Sequence, residues 1–198
     1  MLSDGYHDVP LGKVATVVTI LEMTKKPKIQ PVSAPSGWTL TRVTNPDRLW
    51  YRNLFRKIGE EWLWFAREIL SDSELDALLQ NPMIHVYTLR QGNEDGGLLE
   101  LDFRVDGTCE LAYFGLAAEL IGSGAGLYLM NVAIQKAWAE GITRFHLHTC
   151  TLDSPKALPF YLQSGFVPIA QKIEIADDPR LQHGYDRSLG KHVPIFDL

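Results

Sequence analysis

Three glycines at alternate positions are the strongest sign of chemistry in this sequence. Gly122, Gly124 and Gly126 lie in the stretch GLAAELIGSGAGLYLM at 115–130, between an apolar β-type run and residues with helical periodicity. A glycine-rich turn that leads into a helix presents bare backbone N–H groups at the positive end of the helix dipole. The pattern predicts an anion site that would suit a pyrophosphate, although a tight loop without a ligand has the same pattern.

Glu110 is the second candidate, because it is a carboxylate in an otherwise apolar strand. Asp106-Gly107 predicts a two-residue hairpin turn just before it. That turn would place Glu110 opposite Phe103, on the apolar face of the hairpin. Apolar neighbours raise the pKa of a carboxylate and make it a candidate base. The alternative is a glutamate at the edge of the hairpin that is either solvated or paired with Arg104.

Two further features could bind a cationic acceptor. Glu100 and Asp102 are expected on the other face of the preceding strand, and Trp64 lies in the aromatic segment EEWLWFARE at 60–68. A solvated sheet face would explain the carboxylates equally well, and core packing or a dimer contact would explain the aromatic residues. Asp102 and Trp64 are the candidate substrate-binding residues.

Two histidines and a cysteine alternate along the predicted strand RFHLHTC at 144–150. His146, His148 and Cys150 would point the same way, as metal ligands could. Zinc usually takes ligands from more than one element, and neither a CxxC nor an HExxH motif accompanies them. No metal site is predicted, and His148 is instead an alternative to Glu110 as the base.

The elements that must position these residues follow a mixed α+β order. Periodicity, caps and turn residues predict a strand, two helices, three antiparallel strands and then helix, strand, helix, strand. Their ranges are about 38–43, 45–58, 71–80, 84–90, 97–105, 108–116, 127–140, 144–150, 154–164 and 166–175. The domain is expected at 37–175, between an N-terminal appendage and linker at 1–36, with a strand candidate at 14–23, and an irregular tail at 176–198.

The composition is that of an ordinary globular protein, with 45% hydrophobic and 22% charged residues in a chain of 198. The longest apolar stretch, at 14–20, is too short for a bilayer span and lacks the flanks of a secretory signal. A soluble cytoplasmic protein with no membrane contact is expected. The formal net charge of −5 and the lack of a Lys/Arg cluster argue against a nucleic-acid partner and suit a cationic substrate.

Two motifs in the right order resemble the GCN5-related N-acetyltransferase (GNAT) family. The first is Leu116-x-Ala118-x-x-Ile121-Gly122-x-Gly124-x-Gly126, and the second contains Ala157, Phe160-Tyr161 and Gly165-Phe166. The predicted element order matches that of the family over 37–175. The resemblance implies a GNAT-like acyl-CoA N-acyltransferase fold, with a mixed, mostly antiparallel sheet that is splayed at the cofactor site and flanked by helices.

The resemblance also implies direct transfer of an acetyl group from acetyl-CoA, bound as a co-substrate, to a small-molecule or peptide amine. Glu110 would take the proton from the amine, and Tyr161 would protonate the departing thiolate unless it is only a core aromatic residue. The pyrophosphate would be held by Ile121, Gly122, Ser123, Gly124, Ala125 and Gly126. The pantetheine arm and the rest of the cofactor would contact a bulged strand end at Leu116, Ala117 and Ala118, and the helix cap Ser154.

The sequence departs from the family at three of these positions. The family most often has Arg or Gln where Ile121 stands, Pro where Ala118 stands and Asn where Ser154 stands. These differences keep an alternative function open, namely a catalytically inactive CoA-binding or sensing module of the same fold. The acceptor, the acyl chain and the subunit number are left open by the sequence, which is compatible with a homodimer.

Overall fold

The computed structural model describes residues 3–29 and 31–197, which form one seven-stranded sheet with helices against both faces. The strands are β1 (Lys13–Met23), β2 (Thr39–Val43), β3 (Ile84–Gln91), β4 (Glu94–Asp102), β5 (Thr108–Leu116), β6 (Arg144–Cys150) and β7 (Val167–Asp177). The helices are α1 (Arg48–Gly59), α2 (Asp72–Leu79), α3 (Ala125–Ala139), α4 (Ala157–Gln163) and α5 (Pro179–Gln182).

Local sequence signals explain where most helices begin. Asp47 accepts a hydrogen bond of 2.9 Å from an amide in the first turn of α1. Ser71 and Glu74 form a capping box at the start of α2. Helix α4 begins later than predicted, at Ala157, and the prediction that Ser154 caps it is wrong because no side chain caps its first turn.

The sheet opens between two of its strands. The strand order is β2-β3-β4-β5-β6-β1-β7, and every neighbouring pair is antiparallel except β5 and β6. β5 and β6 run parallel and pair only at Thr108, Cys109 and Glu110 of β5. Within the described residues they have no pairing beyond Glu110. This mixed, mostly antiparallel and splayed sheet confirms the predicted fold class.

Alternate residues of the central strands fill two hydrophobic cores, one on each face of the sheet. On β4, Leu99 is fully buried in the core under α3, and its neighbour Leu98 is fully buried in the core under α1 and α2. Helix α3 turns a stripe of apolar residues at helical spacing into the core, namely Leu129, Met130, Ala133, Ile134 and Ala137. The two faces therefore hold different sets of side chains next to the opening.

A β-bulge decides which face Glu110 occupies. Leu101 pairs with Leu111 and Glu100 pairs with Tyr113, so Ala112 is an extra residue in β5. The predicted register holds on the far side of this bulge, but near the turn it is shifted by one residue, and Glu110 pairs with Asp102 instead of Phe103. The predicted face of Glu110 is therefore wrong, because a shift of one residue turns a side chain to the opposite face.

Segments on both sides of the predicted domain belong to the same fold. The prediction that the strand at 14–23 belongs to an appendage is wrong, because β1 lies inside the sheet between β6 and β7. The tail predicted to be irregular contains α5 and packs its side chains on the domain. Tyr185, Leu189 and Val193 surround a small core that includes Val14 and Leu63. The buried Asp178 and Arg180 are paired 2.7 Å apart at the start of that tail.

Candidate active site

The glycine turn, residues 121–126, is open to solvent and has unused backbone donors. The amides of Ile121 and Ser123 donate to the carbonyl groups of Ala118 and Leu120, just before the turn, at 3.1 and 3.3 Å. The amides of Gly122, Gly124 and Gly126 donate to no acceptor in the described part of the chain. These bare N–H groups at the start of α3 fit an anion such as a pyrophosphate.

Positive backbone angles explain the first two of these glycines. Gly122 has φ +83° and Gly124 has φ +86°, a left-handed conformation that L side chains rarely adopt. An added Cβ at either position would have no heavy atom within 4 Å. The turn therefore requires glycine for its backbone shape and leaves the space above the amides open.

The opening between β5 and β6 lies beside this turn. It leaves one edge of β5 beyond Glu110 without a strand partner among the described residues. β4 covers the other edge of β5 as far as Leu116, which pairs with Gly97. The predicted bulge at 116–118 is wrong, since the bulge lies at Ala112 and a 3-10 turn occupies Ala118–Leu120. The amide of Ala117 is also occupied, because it donates to the Gly96 carbonyl at 2.8 Å. The free edge of β5 is the segment 111–116.

A cleft of about 140 Å³ occupies this opening. Its walls include Trp64, Ala112, His148, Asp153 and Tyr161. These side chains come from the segment after α1, from β5, from β6 and the turn that follows it, and from α4. The fold thus brings the predicted residues Trp64, His148 and Tyr161 together, although they are far apart in the sequence.

Trp64 is held in place by a hydrogen bond across the cleft to the carboxylate of Asp153. Its indole N–H donates to Asp153 Oδ1 at 3.0 Å, while Asp153 Oδ2 accepts from the Thr149 hydroxyl at 2.7 Å and the Cys150 amide at 2.9 Å. Gly115 makes room for the indole, because a Cβ there would lie 3.0 Å from the ring. Asp153 was not among the residues predicted for the site. Its sequence signal is a turn-type residue directly after β6, in Leu152-Asp153-Ser154-Pro155.

Glu110 and His148 lie on neighbouring strands and form an ion pair when His148 is protonated. His148 Nδ1 lies 3.4 Å from Glu110 Oε1, and both side chains are partly exposed. The hydrogen bond from His148 lowers the pKa of Glu110, and the same hydrogen bond raises the pKa of His148. The predicted rise in the pKa of Glu110 is therefore wrong, because a cationic partner stabilises its charged form more than burial destabilises it.

Tyr161 is half-buried at the wall of the cleft. Its ring contacts Phe114, Phe160 and Phe166, with centroid distances of 6.3, 5.9 and 6.1 Å. Burial raises its pKa, and the nearby negative charge of Asp153 adds to the shift. The hydroxyl is therefore held in its protonated form at neutral pH, the form that can donate a proton.

Glu100 and Asp102, the β4 carboxylates considered as cation-binding groups, are each occupied by an arginine. Glu100 is fully buried, accepts a hydrogen bond from the Tyr51 hydroxyl, and lies 2.6 Å from the Arg67 guanidinium. Asp102 is bound by Arg104 through two guanidinium nitrogens. Burial alone would raise the pKa of Asp102, but the hydrogen bonds from Arg104 hold it below its usual value. Neither carboxylate lines the cleft, so Asp102 is not placed to bind an acceptor there.

Three further expectations concern Ser154, a metal site and a membrane-spanning helix. The Ser154 hydroxyl accepts a weak hydrogen bond of 3.3 Å from the Lys156 amide within its own turn. Among residues 3–29 and 31–197, no group of three or more His, Cys, Asp or Glu side chains is arranged to hold a metal ion. No helix in those ranges is long and apolar enough to cross a membrane.

Comparison with known proteins agrees with this geometry. Residues 51–166, more than half of the chain, match the model of the Acetyltransferase (GNAT) family. The chain belongs to this family, as its two motifs predicted. A search of curated proteins found no match.

Solved structures share the fold at low sequence identity. A GCN5-related N-acetyltransferase from Sphaerobacter thermophilus has a TM-score of 0.61 at 14% identity, and the match covers 98% of this chain but only 55% of that protein. An aminoglycoside acetyltransferase from an uncultured soil metagenomic sample has a TM-score of 0.54 at 16% identity, and the match covers 65% of this chain and 88% of that protein. A Bacillus subtilis acetyltransferase in complex with CoA has a TM-score of 0.52 at 22% identity, and the match covers 67% of this chain and 78% of that protein.

Proposed function

We propose that this chain transfers an acetyl group from acetyl-CoA directly to an amine. The observation that carries the proposal is the position of the glycine turn, with its three unused amides, beside the opening between β5 and β6. The amides of Gly122, Gly124 and Gly126 would hold the pyrophosphate of CoA. The free edge of β5 at 111–116 would hydrogen-bond the amide groups of the pantetheine arm. The CoA complex of the Bacillus subtilis structure supports this choice of ligand.

Acetyl-CoA supplies an activated thioester, and the protein must supply a neutral amine. An alkylammonium ion has a pKa of about 10, so it is mostly protonated at neutral pH and cannot attack. The lowered pKa of Glu110 makes its carboxylate a weak base on its own. We assign the proton-accepting role to neutral His148, which lines the cleft, and assign to Glu110 the role of orienting its imidazole ring.

Tyr161 would donate the proton that the departing thiolate needs. Its raised pKa keeps the hydroxyl protonated, and its position in the wall of the cleft brings it to the side where α4 meets the opening. The three phenylalanine contacts hold the ring in place. Trp64, fixed by Asp153, would form the wall on the acceptor side.

Thiol release in the presence of acetyl-CoA and a panel of amines tests the proposal. The panel includes alkylamines, peptides and aminoglycosides, since the soil metagenomic relative is an aminoglycoside acetyltransferase. We expect turnover with at least one amine, and a large loss of turnover but unchanged CoA affinity in Tyr161→Phe. Saturable CoA binding without turnover would support the inactive module instead. No CoA binding by calorimetry would reject both functions.

A further inference from the structure

An open groove of about 530 Å³ crosses the sheet face formed by β6, β1 and β7. His148 and Glu174 line both this groove and the cleft, so the two spaces are adjacent. The floor is apolar where Val18 and Ile20 of β1 contribute. A molecule larger than the cleft could therefore place one end beside His148 and lay the remainder along the groove.

The groove carries a cation, Lys172, and an anion, Glu174, and the negative charge of Glu174 helps to raise the pKa of His148. Lys172 and Glu174 both line it, and because they are two residues apart on β7 their side chains lie on the same face, about 6.6 Å apart along the strand. Neither side chain forms a hydrogen bond or an ion pair within the described residues. Glu174 stands at the junction with the cleft, and Lys172 stands beyond it.

The other charged groups of the groove are already engaged. Arg144 lies 2.6 Å from Glu22 on the neighbouring strand. His148 is paired with Glu110. Burial lowers the pKa of His146 and so disfavours its cationic form. Lys172 is therefore the cation of the groove that is available to an incoming anion, in a protein whose formal net charge is −5.

We propose that the acceptor carries an anionic group as well as its reactive amine, and that Lys172 binds this anion while Glu174 guides the ammonium into the cleft. The inference rests on the acetyltransferase function proposed above and specifies its substrate class. β6 and β7 are two strand spacings apart, roughly 10 Å. A carboxylate or phosphate several bonds from the amine fits this distance, and the apolar floor suits the carbon chain between them.

Binding of three matched probes to the full chain tests the proposal by calorimetry, with CoA present. 6-Aminohexanoate has both charges, 6-aminohexanamide has the same length without the anion, and hexylamine lacks the terminal group. We expect 6-aminohexanoate to bind about fivefold more tightly than the amide, the upper range for a partly exposed ion pair. Lys172→Met should abolish this preference, whereas Lys26→Met, an exposed lysine outside the groove, should leave it intact.

The outcomes separate this inference from the proposed function. Equal affinity for 6-aminohexanoate and its amide, undetectable binding of 6-aminohexanoate, or an unchanged preference in Lys172→Met would overturn the role of the groove. If amines are acetylated without any preference for an anionic group, the acetyltransferase stands and the acceptor class is wrong. If the charge preference is present in binding but no amine is acetylated, the groove stands and the catalytic proposal fails.

Discussion

His148 Nδ1 lies 3.4 Å from Glu110 Oε1, two residues beyond the last paired position of β6 with β5. The pair thus stands where the two strands separate, at the entrance to the cleft. The proposed proton acceptor therefore lies next to the only parallel strand pair of the described sheet, β5 and β6. The first prediction follows from its protonation.

The pH dependence of stability should report this ion pair. The raised pKa of His148 stabilises the fold below about pH 6.5, and this contribution is lost as the pH rises through the folded pKa. The lowered pKa of Glu110 stabilises the fold above about pH 4.3, and this contribution is lost as the pH falls through its folded pKa. The pair therefore stabilises most between these two values.

Glu110→Gln isolates the effect. The difference in unfolding free energy between wild type and variant should be larger at pH 5.5 than at pH 9, by urea denaturation. An NMR titration of the imidazole should show the pKa of His148 above its usual value in wild type and lower in the variant. An equal pKa in both proteins would contradict the pairing.

The glycine turn should be sensitive to substitution for two separable reasons. Gly124→Ala forces a left-handed backbone on alanine and should cost about 1 kcal/mol of stability. It should also weaken CoA binding, because the added methyl group projects into the open space at the unused amides. Gly92→Ala is the matched control, with φ +58° and no heavy atom within 4 Å of an added Cβ, but in the hairpin between β3 and β4.

Both variants should lose similar stability, and only Gly124→Ala should lose affinity for CoA. The thermal shift caused by saturating CoA measures that difference directly. If Gly92→Ala lowered the shift as much as Gly124→Ala, the turn would not be the CoA site.

The buried ion pair between Glu100 of β4 and Arg67 should stabilise the fold. Glu100→Gln leaves the Arg67 guanidinium, which stacks 4.8 Å over the Tyr113 ring, without its counter-charge. We expect a loss of about 3 kcal/mol in unfolding free energy. Glu94→Gln, an exposed change on the same strand, should cost less than about 0.5 kcal/mol. Chemical denaturation of the two variants checks the contrast, and similar losses would argue against it.

The indole of Trp64 should affect the acceptor more than the cofactor. Trp64→Phe removes the N–H that donates to Asp153, at a cost of about 1 kcal/mol, and loosens the wall of the cleft. The KM for the acceptor should rise several-fold while CoA affinity stays unchanged. Trp50→Phe removes a similar hydrogen bond to Asp95, outside the cleft. It should change neither the KM for the acceptor nor the affinity for CoA. A rise in KM in both variants would mean a general loss of stability.

Much of this protein is determined by local patterns in its sequence. Capping residues set the starts of α1 and α2, apolar spacing set the inward stripe of α3, and alternate glycines marked the turn before it. These features depend on residues within a few positions of one another. For the same reason the family could be assigned from two short motifs, at Leu116–Gly126 and Ala157–Phe166.

Tertiary structure decided the pairing of the candidate catalytic groups. One extra residue, Ala112, moved Glu110 to the opposite face, where its neighbour is His148 on a strand distant in sequence. The place of β1 inside the sheet and the bond from Trp64 to Asp153 are non-local in the same way. The alternation of side chains along a strand predicts which residues share a face. The register, which bulges and distant partner strands set, decides which residues each face contacts.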